Sequence, residues 1–201
     1  ESVALISDAG TPLISDPGFV LVRKCREQGI PVSALPGPCA AITALSASGL
    51  PTDKFIFEGF LPVKVQARES VLSALIDRTF TTVYYEAPRR ILDTVTDIQR
   101  VLGERQIVVA KELSKTFETY VRGSAQDVID YLNADVAHQK GEFVVMIGPA
   151  KVSDQAIPSE AMSLLSVLCE HMPLKKAAAV VATHYDLKKN ALYQAGLDAK
   201  A

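Results

Sequence analysis

The chain has 201 residues, with 21 Lys and Arg against 23 Asp and Glu, which gives a formal net charge of −2 at pH 7. A hydrophobic fraction of 48% and a charged fraction of 22% exclude a disordered or collagen-like chain and leave enough apolar side chain for a core. The apolar runs are far too short to cross a bilayer and no secretory signal opens the chain, so we expect a soluble protein.

The three cysteines, Cys25, Cys39 and Cys169, are too few and too widely spaced for a disulfide framework or a zinc site. The histidines also stand alone in the sequence, without the spacing of metal ligands. We therefore expect a reducing, cytoplasmic location and no bound metal.

The chain opens on a predicted strand at residues 3–6, a continuous apolar run that is typical of a parallel strand covered on both faces. Glu1 stands where an initiator Met is expected, and a domain rarely begins with a central strand. We therefore expect an N-terminal part of the protein to precede this sequence.

Strands and helices then alternate up to about residue 150, which predicts an α/β fold. Asp16 and Pro17 predict the N-cap and first position of a helix that Gly29 ends, and Ser124 with Asp127 predicts a capping box. The predicted strands after the first are 32–35, one beginning at 55–57, 82–85, 107–110, 117–121 and 143–147, and the predicted helices between them are 39–48, 64–79, 89–102 and 125–134.

A polar stretch from residue 149 to 158 ends this alternation, and everything after it is predicted to be helical, at 159–171, 174–185 and 189–199. Residues 172–201 carry five Lys against Asp186 and Asp198, a net charge of +3, whereas residues 1–171 carry −5. The two last helices have the pattern of a helix-turn-helix unit, whose lysines fit either contact with RNA phosphates or a solvated face.

Candidate chemistry lies in the loops that follow strands, because ligands of α/β domains gather at strand ends. The loop at 7–18 is longer than a turn requires, and in it Asp8 can accept hydrogen bonds while Gly10 allows close approach to the backbone. In the loop at 36–41, Cys39 precedes a helix of small residues; a role as nucleophile is weakly supported because no His lies near it.

Charged residues follow two later strands. Glu86, Arg89 and Arg90 precede a helix, where the arginines oppose the helix dipole, so they indicate either an anion site or an ion pair between Glu86 and one arginine. A second charged loop occupies 111–118, and 140–142 precedes the last strand. No dinucleotide, P-loop or zincin motif is present.

Six sequence motifs resemble, in chain order, those of the tetrapyrrole-methylase (class III) family of S-adenosylmethionine-dependent methyltransferases. They are Ser7-Asp8-Ala9-Gly10-Thr11-Pro12 with Ile14-Ser15-Asp16-Pro17-Gly18, Pro36-Gly37-Pro38-Cys39-Ala40, Phe57-Glu58-Gly59-Phe60-Leu61-Pro62, Tyr85-Glu86-Ala87-Pro88-Arg89, Lys111-Glu112-Leu113-Ser114-Lys115 and Gly141-Glu142-Phe143. Within the family, the motifs are most similar to those of bacterial members that methylate 16S ribosomal RNA on a cytidine 2′-hydroxyl.

The resemblance implies two α/β domains with an S-adenosylmethionine cleft between them, usually in a homodimer. Residues 1–36 would be the end of a truncated first domain, 37–150 the second domain, and 159–201 the helical tail. The positions that match cofactor-lining residues of the family are Asp8, Ala9, Gly10, Leu13, Ile14, Ser15, Cys39, Ala40, Tyr85, Leu113 and Glu142. The family's first strand and its Gly-Thr-Pro loop are absent, so this chain alone is expected to bind the cofactor poorly.

A ribose hydroxyl is a poor nucleophile, so a base or a nearby cation should help it react. We expect Glu86 or Glu112 to act as the base and Lys115 to stabilise the developing alkoxide. The predicted RNA-contacting residues are Arg89, Arg90, Lys175, Lys176, Lys188 and Lys189. Two other functions remain open: a corrin or porphyrin methylase, and a non-catalytic RNA-binding module.

Overall fold

The structure is a computed structural model, and it describes residues 1–150 and 157–199. The chain divides into two compact units, residues 1–150 and residues 151–201. Part of the predicted polar stretch, residues 151–156, lies outside the described residues, as do residues 200–201 of the predicted tail. Within the described residues, no helix is both long and apolar enough to cross a membrane.

The N-terminal segment of the first unit departs from the sequence-based prediction. Residues 3–6 and 32–35 form no strand, and their side chains lie largely in solvent, with Val3 89% and Leu35 85% exposed. A strand is held by hydrogen bonds to a neighbouring strand, and neither segment pairs with the described sheet. Helix α1 spans Phe19–Glu27 and has Gly18, not Asp16, as its N-cap.

A mixed five-stranded sheet is the centre of the first unit. The strands are β1 Phe55–Phe60, β2 Thr81–Glu86, β3 Ile107–Lys111, β4 Thr119–Gly123 and β5 Phe143–Ile147. Their order in the sheet is β1-β2-β5-β3-β4. Only β1 and β2 are parallel, whereas β5 runs antiparallel to both β2 and β3, and β4 runs antiparallel to β3.

The pairing register brings several strand termini to one edge of the sheet. Phe143, the first residue of β5, lies opposite Glu86, the last residue of β2, and opposite Lys111, the last residue of β3. Thr119, the first residue of β4, is also opposite Lys111. The loops that follow β1, β2 and β3 therefore meet the loop that precedes β5.

Helices cover both faces of this sheet. The helices are α2 Ala40–Ser48, α3 Val65–Ser73, α4 Ile91–Leu102 and α5 Ala125–Ala134, followed by a short 3-10 helix at Val136–Gln139. Helices α3, α4 and α5 pack with Tyr84, Ile107, Val145 and other apolar residues on one face of the sheet, while α2 packs against Val83, Val108 and Met146 on the other.

Most predicted element bounds in this region are close to those observed. Helix α3 is an exception, because it ends at Ser73 and successive turns replace its predicted last part. The predicted capping box of α5 is confirmed: the Ser124 hydroxyl accepts from the Asp127 amide, and the Asp127 carboxylate accepts from the Ser124 amide at 2.7 Å.

The described part of the second unit, residues 157–199, forms three helices, α6 Ser159–His171, α7 Leu174–Tyr185 and α8 Lys189–Asp198. Their small core is built from Ala161, Leu165, Ala177, Ala178, Val181 and Leu192. Asp186 adopts a left-handed conformation after α7, and the chain turns there into α8. The predicted α/β fold with a C-terminal helical region is confirmed.

Candidate active site

A cavity of about 610 Å³ lies in the first unit, at the edge of the sheet where the strand termini meet. Four groups of residues line it: 9–11 with 14–16, 38–40 with Thr43, 85–88 with Phe60, and 113–115 with 142–144. These segments are far apart in sequence. The antiparallel position of β5 between β2 and β3 is what brings the last two groups together.

Nine of the eleven predicted cofactor-binding residues line this cavity: Ala9, Gly10, Ile14, Ser15, Cys39, Ala40, Tyr85, Leu113 and Glu142. Asp8 and Leu13 belong to the same loop but do not line it. Leu13 and Ser15 have positive φ angles of 74° and 59°, which are rarely found outside glycine and are often found at functional sites. The Thr11 hydroxyl holds this loop on the next one by donating to the Pro38 carbonyl at 2.8 Å.

Tyr85 joins β2 to the start of helix α2 at the cavity wall. Its hydroxyl accepts from the Ala41 amide at 3.1 Å and lies 3.9 Å from the Cys39 sulfur. Burial raises the pKa of Tyr85 to about 12, so the phenol is neutral at physiological pH. No histidine is among the described residues that line the cavity, so the weakly supported role of Cys39 as a nucleophile gains no further support.

The Glu86 side chain is buried and its carboxylate bonds to groups of the protein itself. One carboxylate oxygen accepts from the Ala87 amide at 2.8 Å, and the other accepts from the Thr94 hydroxyl at 2.7 Å and lies 3.3 Å from an Arg90 nitrogen. The Glu86 side chain has no exposed surface, so only the main chain of this residue reaches the cavity. Of the two interpretations of this motif, the ion pair is the one observed.

The Arg90 guanidinium also bonds within the protein. The nitrogen that faces Glu86 donates hydrogen bonds to the Leu61 carbonyl at 2.6 Å and to the Pro62 carbonyl at 3.2 Å. The predicted role of Arg90 as an RNA contact is therefore not supported by its position. Arg89, by contrast, is exposed.

Glu112, Lys115 and Glu142 form a charged cluster beside the cavity. The Lys115 ammonium lies 3.0 Å from a carboxylate oxygen of each glutamate, and the Glu112 carboxylate also accepts from the Glu142 amide at 2.9 Å. The hydrogen bond from the Glu142 amide and the one from Lys115 lower the pKa of Glu112, whereas the bonds to Glu142 and Glu112 raise the pKa of Lys115. Lys115 is therefore a cation and Glu112 a weak base.

The backbone around this cluster is unusual. Glu112 and Ser114 have positive φ angles of 52° and 62°. The Glu112 side chain lies so close to Gly141 that a Cβ there would be 2.6 Å from it, and Gly141 itself has a φ of 103°. The loop after β3 is thus fixed on the loop before β5, and together they present Leu113, Lys115 and Glu142 to the cavity.

No catalytic or binding role was predicted individually for several residues that line the cavity: Thr11, Asp16, Pro38, Thr43, Phe60, Ala87, Pro88, Ser114, Phe143 and Val144. Thr11, Asp16, Pro38, Phe60, Ala87, Pro88, Ser114 and Phe143 lie inside the motifs quoted above, so the motif positions were the available signal. Val144 looks like any core residue of a strand, and only the pairing of β5 brings it to the cavity.

Comparison with known proteins identifies the class to which the fold and this cavity belong. Residues 1–129 match the family described as Tetrapyrrole (Corrin/Porphyrin) Methylases, and residues 155–200 match the family described as RsmI C-terminal HTH domain. The chain belongs to the tetrapyrrole methylase family, which confirms the resemblance seen in its sequence motifs.

The curated relatives narrow this class. The chain is 51% identical over 199 residues to a protein of Vibrio cholerae, 52% over 200 residues to one of Haemophilus influenzae and 48% over 199 residues to one of Escherichia coli O157:H7. Each is named ribosomal RNA small subunit methyltransferase I. The matches cover 98% of this chain and 69%, 71% and 70% of those proteins.

Two solved structures share the fold at much lower sequence identity. Cobalt precorrin-4 methyltransferase CbiF matches with a TM-score of 0.50 at 16% identity, over 69% of this chain and 61% of its own. The methyltransferase CobJ matches with a TM-score of 0.51 at 18% identity, over 70% of this chain and 62% of its own. These similarities concern the fold alone.

We expect Tyr85→Phe to destabilise the protein, because it removes the acceptor of the Ala41 amide, and Ala41 is only 3% exposed. Leaving a buried amide without a partner costs about 1–3 kcal/mol. Urea denaturation should detect this loss with equal size from pH 7 to about pH 9, where the phenol is protonated in both the folded and the unfolded chain. The loss should shrink above about pH 10, because Tyr85 then ionises in the unfolded chain while burial keeps its pKa in the folded protein at about 12. The exposed Tyr193→Phe is the control, and equal midpoints for the two variants would contradict the role of this hydrogen bond.

Proposed function

We propose that this chain transfers a methyl group from S-adenosylmethionine to a ribose 2′-hydroxyl of a cytidine in 16S ribosomal RNA. The observation that carries the proposal is about 50% identity, over 98% of the chain, to relatives named as ribosomal RNA small subunit methyltransferases. The corrin and porphyrin alternative has weaker support, from the general description of the matching family and from fold neighbours at 16–18% identity. A match to an HTH domain over residues 155–200 further favours a nucleic acid substrate.

The cavity fits S-adenosylmethionine in size and chemistry. Its volume of about 610 Å³ lies within the usual range of about 300–1,000 Å³ for small-molecule sites. Small residues such as Gly10 and Ala40 let a ligand approach the backbone, and the Glu142 carboxylate can attract a cationic group. The bound cofactor supplies an electrophilic methyl group on a sulfonium. Nine of the eleven residues predicted from the family resemblance are proposed to contact it in this cavity, and Asp8 and Leu13 are proposed to shape the loop that carries four of those nine.

The chemistry proposed for the chain's own residues centres on Lys115. Methyl transfer is an in-line displacement, so the protein mainly orients the two reactants and excludes water. Of the three predicted catalytic residues, only Lys115 has an exposed charged group in the cavity wall, where it can stabilise a developing alkoxide or hold a phosphate.

The two glutamates are better suited to holding structure than to taking the proton. Glu86 has no exposed side-chain surface and fastens the start of α4. The Glu112 carboxylate accepts hydrogen bonds from the Glu142 amide and the Lys115 ammonium. Both bonds lower its pKa and hence its strength as a base. We therefore assign Glu112 to positioning the loop that carries Lys115.

Further parts of the proposal concern partners and location. Arg89 and the exposed lysines of the second unit, Lys175, Lys176, Lys188 and Lys189, contact RNA phosphates. The protein acts as a homodimer in the cytoplasm, where its ribosomal substrate is found and where free thiols such as its three unpaired cysteines are stable. Residues 1–36 and 37–150 are parts of two domains that share the cofactor, although residues 1–150 form one compact unit.

Addition of S-adenosylmethionine should raise the melting temperature of the purified full-length protein, because a ligand that binds only the native state stabilises it by about 2.7 kcal/mol at a concentration of 100 Kd. Ala40→Phe should abolish the shift by filling the cavity, while Ala134→Phe, on an exposed site of α5, should retain it. A shift that survives Ala40→Phe unchanged would place the cofactor outside this cavity.

Lys115→Met should lower kcat for ribosomal RNA methylation about 100-fold or more, the usual loss when one group that stabilises a developing oxyanion is removed. Glu112→Gln should keep kcat within about tenfold, because an amide oxygen can still accept from the Glu142 amide. The exposed Glu104→Gln is the control for both. A loss above 100-fold in Glu112→Gln, with a kcat that no longer depends on pH at the acid end, would assign the base to Glu112 instead.

The paired variants Lys175→Gln/Lys176→Gln and Lys188→Gln/Lys189→Gln should weaken RNA binding uniformly across sequences. The slope of log affinity against log salt concentration should also become less steep, by about 0.7 for each removed lysine that had neutralised a phosphate of single-stranded RNA. The pair Lys24→Gln/Lys140→Gln removes the same charge from exposed sites of the first unit. If all three pairs change the slope equally, the effect is one of net charge and the second unit does not bind the RNA.

A further inference from the structure

Strand β1 contains a bulge next to the cavity. Phe57 pairs with Val83 and Phe60 pairs with Tyr85, so β1 advances three residues while β2 advances two. Gly59 lies in the bulge with a φ of 69°, a conformation that glycine adopts at little cost. The last part of β1 therefore has one residue more than its neighbour.

The bulge decides where the ring of Phe60 points. In a regular strand, residues three apart face opposite sides of the sheet, so Phe57 and Phe60 would be separated. Here both rings contact the ring of Tyr85, at centroid distances of 4.7 Å and 5.8 Å. Phe60 is thereby turned into the cavity wall, and it is still 54% exposed there.

An isolated exposed phenyl ring is common on a convex surface, but the Phe60 ring is exposed inside a cavity and is held by its neighbours. It stands in a concave site, it packs against the Tyr85 ring in a T-shaped arrangement, and Lys115 lines the same cavity. The backbone irregularity at Gly59 is what holds it there. An aromatic ring and a cation in one cavity are the combination that binds an unstacked nucleotide, the ring stacking on the base and the cation attracting the phosphate.

We propose that Phe60 is the residue on which the base of the target nucleotide stacks. This inference rests on the proposed function, since it names the part of the site that holds the RNA. A 2′-hydroxyl reaches a methyl donor inside a cavity only if its nucleotide leaves the RNA stack, and that nucleotide then lacks its stacking partners. The Phe60 ring replaces them.

The experiment compares Phe60→Leu with Phe60→Tyr and Phe60→Trp in methylation of ribosomal RNA. Stacking on one aromatic side chain changes affinity by about 5- to 150-fold. We expect Phe60→Leu to raise KM for RNA at least tenfold with the Kd for S-adenosylmethionine unchanged, and both aromatic variants to stay within about threefold of the natural protein. The control Phe117→Leu removes a ring that is 74% exposed outside the cavity wall, and it should leave KM unchanged.

Three results would overturn the proposal. The first is a Phe60→Leu variant that loses cofactor affinity but not RNA affinity, which would make Phe60 part of the cofactor site. The second is equal KM for Phe60→Leu and Phe117→Leu. The third is a change of sedimentation in Phe60→Leu, which would make the ring a contact between protein copies. Absence of methylation by the natural protein would instead contradict the proposed function itself.

Discussion

The position of β5 is the constraint on which the cavity depends. All five residues of this strand are buried, and it pairs with β2 on one side and β3 on the other, so that Phe143 lies opposite both Glu86 and Lys111. A shift of one residue in either ladder would exchange the β5 side chains between the two cores, so that the packing on both faces of the sheet would be disrupted. The register therefore holds the loops after β2 and β3 against the Gly141-Glu142 turn, and the cavity forms between them and the two loops that precede α1 and α2.

Two groups of charged residues stand at this edge, and their surroundings give them different tasks. Glu86 is buried and Arg90 is half-buried beside it, and the Thr94 hydroxyl of α4 supplies one of the additional hydrogen bonds without which such an ion pair would be costly. Glu112, Lys115 and Glu142 are at the surface, where their attraction is weaker but the ammonium stays accessible. Because of this difference in burial, Glu86 and Arg90 have a structural role, whereas Lys115 is accessible to a substrate, although both groups consist of the same kinds of side chain.

Local sequence patterns predicted the elements of the first unit well wherever a segment has a neighbour to pack against. Helix α5 and strand β5 have the predicted bounds, because a capping box and a continuous apolar run are signals contained within a few residues. Residues 3–6 carry the same kind of apolar run, yet they form no strand because no strand lies beside them in the described sheet. Apolar composition alone therefore does not distinguish a strand from an unpaired segment.

By itself, the sequence determined the order of helices and strands after residue 36, the family, and the set of loops from which the cavity is built, because periodicity, capping and motif residues are properties of neighbouring positions. Only the tertiary structure decided that most of the strand pairs are antiparallel, that Glu86 is sealed against α4, and that a bulge at Gly59 turns Phe60 into the cavity. Each of these depends on hydrogen bonds and packing between residues distant in the chain. Such partners are selected by the whole folded unit, so no local pattern encodes them.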